Sequence, residues 1–98
     1  MDSLEMRIVT PNGVFCDKLK IEQVTLPSTN GQITLLKNHM SLIGGLQLSY
    51  MKVKESKSKD FRYIHVHRGI FELDKNSLTI VTQNAYDVDS QGYKPNQK

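Results

Sequence analysis

The sequence predicts an all-β fold, and three features of its 98 residues carry that expectation. Seven Val, seven Ile and six Thr stand against a single alanine, Ala85, and such stiff β-branched side chains suit a pleated strand better than a helix. Turn-forming clusters recur roughly every 8 to 12 residues, the spacing of a β-sandwich or barrel. No segment carries the 3.6-residue apolar period of a long amphipathic helix.

Length and composition set the bounds. A chain this short hides about two thirds of the surface it exposes when unfolded, enough for one modest core. Hydrophobic residues are 38% and charged residues 23%, too apolar for a disordered chain, and no apolar run nears the ~18 residues of a membrane span. The expectation is a soluble globular domain. Thirteen Lys and Arg against ten Asp and Glu give +3, a small excess that names no partner. Cys16 has no second cysteine to pair with, MDSLEMRIV lacks the layout of a secretion signal, and no N-glycosylation triplet is present, which together favour a reducing intracellular compartment.

In chain order, Leu4, Met6 and Ile8 alternate with Glu5, Arg7 and Val9, the pattern of a half-buried strand. Thr10-Pro11-Asn12-Gly13 turns, and residues 14 to 16 return as a short strand, making a hairpin over 4 to 16. The next alternation, Leu19 and Ile21 followed by Val24 and Leu26, slips by one residue at Glu22-Gln23, so a β-bulge is expected there to keep both pairs on one face. Pro27-Ser28-Thr29-Asn30-Gly31 is the densest turn signal, Ile33 and Leu35 start a new strand, and Lys37-Asn38-His39 ends it.

Gly44-Gly45 interrupts an apolar run from Met40 and is expected to mark a corner between layers, after which Leu46, Leu48 and Tyr50 alternate. Residues 52 to 60 read as a solvated, mobile hairpin before a strand from Phe61 to Val66. Arg68-Gly69 breaks the pattern, Ile70 to Leu73 resumes it, Asp74 to Ser77 turns, and Leu78 to Thr82 closes a set of eight or nine short strands. Residues 1–88 form the expected domain, with 89–98 a polar tail.

Chemistry is sparse. No G-x-S-x-G turn exists, and Cys16 has no His near it in sequence. His65 and His67, two apart on a strand, share a face but lack further ligands nearby, so they read as flanking a sheet face with Phe61 and Tyr63. Gly44-Gly45 is no phosphate loop. Lys52, Lys54, Lys57, Lys59 and Arg62 with Tyr50, Phe61 and Tyr63 sketch a small barrel that binds single-stranded nucleic acid through the 52–63 hairpin, although Glu55 and Asp60 dilute the charge. No cofactor or metal is called for, and the residues alone lead to a protein-interaction module.

Four segments in order carry a more specific signal: Arg7-Ile8-Val9-Thr10-Pro11-Asn12-Gly13; Val24-Thr25-Leu26-Pro27-Ser28-Thr29-Asn30-Gly31; Leu35-Leu36-Lys37-Asn38-His39-Met40-Ser41-Leu42; and Gly69-Ile70-Phe71-Glu72-Leu73 ahead of Leu78-Thr79-Ile80-Val81. Over about residues 4 to 88 the chain resembles the N-terminal β-sandwich domain of the epsilon subunit of F-type ATP synthases, called delta in mitochondria. It departs from the family where Pro-Gly-His-Ala-Pro is usual and Lys37-Asn38-His39-Met40-Ser41 stands, and where Arg68 and Thr34 replace common glycines.

The resemblance implies a flattened two-sheet sandwich of roughly eight to ten short strands. It also implies a non-catalytic rotor subunit of the central stalk that links the gamma subunit to the membrane c-ring, coupling proton translocation to ATP synthesis. The c-ring partner surface would comprise Ser28, Thr29, Asn30, Gly31, Gln32 and His39, and the gamma surface Met40, Leu42 and Ile70. Localisation would be peripheral on an energy-coupling membrane: the cytoplasmic face of a bacterial inner membrane, or a thylakoid or mitochondrial inner membrane. The family continues into two inhibitory helices, and the segment after Tyr86, with Gly92 and Pro95, is expected to form no such arm.

Overall fold

The structure is a computed structural model that describes residues 4–91 and Tyr93. Nine strands follow in order: β1 Leu4–Thr10, β2 Gly13–Ser28, β3 Gly31–Leu36, β4 Leu42–Leu46, β5 Ser49–Glu55, β6 Phe61–Val66, β7 Gly69–Asp74, β8 Ser77–Thr82 and β9 Ala85–Val88. No helix occurs among the described residues. All-β architecture and strand number agree with the sequence reading.

The strands form one continuous hydrogen-bonded sheet, ordered β1-β8-β7-β4-β2-β5-β6-β9, with β3 also on β2 and β1 also on β2. β2 serves both layers. Its first part pairs with β1 from Gly13 to Ile21, and its second part pairs with β3 and β5 from about Gln23 onward. One layer is therefore β1, β8, β7 and β4, the other β3, β5, β6 and β9, with β2 running through both. Ser28 pairs with Leu46 where the layers meet again.

The apolar alternation explains the core. Leu4, Met6, Ile8, Phe71, Leu73, Leu78 and Ile80 from the first layer meet Val24, Leu26, Leu35, Met51, Val53, Ile64 and Val66 from the second, all essentially without solvent contact. The expected bulge is present: Ile21 faces Glu55 while Gln23 faces Lys54, so Glu22 is the extra residue and Ile21, Val24 and Leu26 all stay buried.

Other expectations need correction. The return strand does not stop at residue 16; β2 continues unbroken, because Lys18 in the left-handed region (φ 53) absorbs a register shift against β1. Gly44-Gly45 is no corner. Both glycines lie inside β4, and a Cβ on Gly44 would sit 2.8 Å from the Phe71 ring carbons, so the glycine makes room for the ring opposite it. The passage between layers falls instead at Gln47-Leu48. Leu48 accordingly turns outward, and Met51 and Val53, not Leu48 and Tyr50, line the core of β5.

A strand that the sequence reading did not single out, β9, pairs with β6 from Tyr63↔Val88 to Val66↔Ala85. Beyond it Asp89 organises a tight turn: its carboxylate accepts from the N–H groups of Gln91 (2.9 Å) and Tyr93 (3.0 Å). Gly92 and residues 94–98 of the expected tail lie outside the described residues.

Candidate functional site

The molecule has two dissimilar ends. One gathers five turns. Thr29 N–H donates to Gly45 O (3.0 Å), Gln47 N–H to Pro27 O (2.8 Å), His67 N–H to Asn84 O (3.3 Å) and Gln83 N–H to Arg68 O (3.3 Å). The Thr10-Pro11 turn borders the same cleft as Arg68 and Gln83. At the other end, Asn38 N–H donates to the Asn76 side chain (2.6 Å) and Ser41 Oγ to Asp74 (3.2 Å).

The residues expected to face the ring divide between these ends. Ser28, Thr29, Asn30, Gly31 and Gln32 form the β2–β3 turn and the start of β3; the Ser28 hydroxyl accepts from Asn30 N–H (3.0 Å), Gly31 closes the turn at φ 109, and Thr29 through Gln32 are exposed. His39 follows the far end of β3, donating its N–H to Leu36 O (3.2 Å). The six residues of β3 separate it from the turn, about 17 Å over their five steps of 3.3 Å, so the structure does not bring His39 together with residues 28–32.

The gamma set divides as well. Met40 is 80% and Ile70 54% exposed, whereas Leu42 points inward and packs against the core. Its neighbour Ile43 is the outward residue of β4 at 68%. Ile70 pairs directly with Val81, itself 46% exposed, and Val81 with Val9, so Ile43, Ile70, Val81 and Val9 belong to the outer face of the first layer. Ile43 and Val81 are outward residues outside the expected set. The strand alternation carries the signal, since Ile43 has the parity opposite to buried Leu46 in β4 and Val81 the parity opposite to buried Leu78 and Ile80 in β8.

Elsewhere the surface is chemically quiet. Burial pushes the Cys16 thiol above its ordinary range, the wrong direction for a nucleophile. The His65 ring stacks on Tyr86 (4.6 Å, 17°) and meets His67 edge-on (5.1 Å), and among the described residues no group of three metal-binding side chains occurs.

The basic hairpin is not one stripe. Lys54 bridges to Glu22 and donates to Ser58 O, Arg62 is tied to Asp87 (2.7 Å) and Glu55 (3.1 Å), and Lys52 lies over Phe61. The Asp87 hydrogen bond raises the Arg62 pKa further. Two of the five cations are thus engaged by carboxylates of the chain itself.

Comparison with known proteins shows the family of the fold. The model of the ATP synthase delta/epsilon chain β-sandwich domain matches residues 3–88. The ATP synthase epsilon chain of Gloeobacter violaceus is 39% identical over 83 residues, covering 85% of this chain and 61% of the relative. The chloroplastic epsilon chain of Euglena gracilis is 30% identical over 83 residues, with 85% and 61% covered. This chain therefore spans about three fifths of the length of those relatives.

By fold, it resembles a chain in the Euglena gracilis mitochondrial ATP synthase structure with OSCP, F1 and c-ring (TM-score 0.83, 12% identity, 93% of this chain and 59% of that one). It also resembles a chain in the central stalk and c-ring structure of the Tetrahymena thermophila mitochondrial ATP synthase (TM-score 0.71, 14% identity, 98% and 78%). With the match running the length of the sandwich, the chain belongs to the ATP synthase delta/epsilon family, as its β-sandwich domain.

Proposed function

We propose that the chain is a non-catalytic rotor subunit of an F-type ATP synthase, joining the gamma subunit to the membrane c-ring and so coupling proton translocation to ATP synthesis. The observation that carries the reading is the outward apolar set Ile43, Ile70 and Val81, on a sandwich whose family is that of ATP synthase delta/epsilon chains. Apolar side chains exposed together on a rigid sheet face suit burial against another subunit, and gamma is the partner assigned here. The five-turn end, with Thr29, Asn30 and Gln47 at its rim, is assigned to the polar loops of the ring. A sandwich whose two layers are braced at both junctions of β2 resists shear, which a part that transmits torque requires.

Residence would be peripheral on an energy-coupling membrane, through the complex. The test is affinity purification of the tagged chain from detergent-solubilised membranes of its source. Gamma and the c-ring should be recovered with it in stoichiometric amount; recovery of neither, or ATP turnover by the isolated chain, overturns the proposal.

A further inference from the structure

The sequence has three arginines, and two of them, Arg7 and Arg62, sit on carboxylates of the chain itself. Arg68 is exposed and has no carboxylate within ion-pair distance among the described residues. It stands at the five-turn end, between two adjacent clefts of about 390 and 500 Å³ that it lines jointly. Among the described residues neither cleft is lined by an acidic side chain, and Arg68 is the one formal charge in both.

Its backbone is held firmly. Thr82, only 3% exposed, accepts from His67 N–H (3.0 Å) and donates to His67 O (2.8 Å), and Gln83 N–H donates to Arg68 O (3.3 Å). The next residue packs so closely that a Cβ on Gly69 would lie 2.0 Å from Val81 O. Leu48 (59% exposed) gives the cleft beside Thr29 and Gln47 an apolar rim, and such a rim beside a guanidinium lowers local water access and strengthens a charge-assisted contact.

From this exposed guanidinium with no acidic neighbour in its clefts we infer that Arg68 is a specificity-determining anchor for a carboxylate on a polar loop of the c-ring, held in the cleft between Thr29, Gln47 and Leu48. The inference rests on the assignment of this end to the ring in the proposed function. It adds that the ring of this organism carries an acidic side chain where the clefts meet. A guanidinium on a fixed backbone receives a carboxylate through two parallel N–H···O bonds, geometry that an ammonium cannot reproduce.

The experiment uses the full chain and the detergent-solubilised c-ring of the same organism, with affinity measured at low and high salt. Wild type should bind, Arg68→Ala should bind about tenfold more weakly at low salt, and the gap should narrow as salt rises. Arg68→Lys should recover part of the affinity. With a zero-length carbodiimide it should also yield a crosslink mapped from position 68 to a ring carboxylate. Each variant should melt with wild type, since the side chain is exposed.

If wild type does not bind the ring, the proposed function fails and this inference falls with it. If wild type binds and Arg68→Ala binds equally, or if bound Arg68→Lys gives no crosslink from position 68 to a ring carboxylate, the inference alone is overturned.

Discussion

Ile70 on β7 and Val81 on β8 face each other directly across an antiparallel pair, and both point away from the core, 54% and 46% exposed. The strands that carry them bury Phe71, Leu73 and Ile80 on the opposite face, so the fold is complete without these two side chains. Ile70→Thr and Val81→Thr, which keep β-branching, should each change unfolding free energy by no more than ~0.5 kcal/mol in urea denaturation. A loss of 2 kcal/mol or more would show that they belong to the core.

Gly44 and Phe71 are a second cross-strand pair, this one turned inward. Gly44→Ala places a methyl 2.8 Å from the ring and should cost about 1–3 kcal/mol by overpacking. Phe71→Leu in the same chain should return part of that loss, a coupling that a double-mutant cycle reads directly. Independent, additive effects would contradict the steric account.

The register of β5 is equally open to test. Met51 is fully buried and Leu48 is 59% exposed. Met51→Ala should destabilise by about 2–5 kcal/mol and Leu48→Ala by under about 0.5 kcal/mol, in chemical denaturation with an unchanged slope. The reverse order would restore the alternation Leu46, Leu48, Tyr50 expected from sequence.

That contrast shows what the sequence made legible and what it did not. Local alternation located most strands, and the slip at Glu22-Gln23 announced its bulge because three apolar residues had to reach one core. Gly44-Gly45 misled because a glycine that makes room for a ring reads like a glycine that bends a strand; the difference lies in Phe71, 27 positions along the chain. Leu42 and Ile43 are both large and apolar, and only the register of β4 on β7 settles which one faces out. His39 and Thr29 are near in sequence but occupy opposite ends of β3, a separation fixed by strand length.

His65 supplies a pH dependence with a definite sign. Burial first, and the neighbouring His67 second, lower its pKa below the ordinary 6.5. Above that value the imidazole is neutral in both folded and unfolded chains, and stability is full. As pH falls through 6.5 toward the depressed folded value the unfolded chain takes up more protons, so stability declines. The melting temperature should drop across this window, and His65→Gln should flatten the drop. A His65 NMR titration midpoint above 6.5 would reverse the sign.

If gamma covers the outer face of the first layer, as proposed, affinity for the isolated gamma subunit must depend on the apolar side chains of that face. Wild-type chain should bind, and Ile43→Asp with Val81→Asp should weaken binding at least about thirtyfold, the effect of losing a buried apolar anchor, while the melting temperature stays near wild type. Unchanged affinity in a folded double variant would show that gamma binds elsewhere.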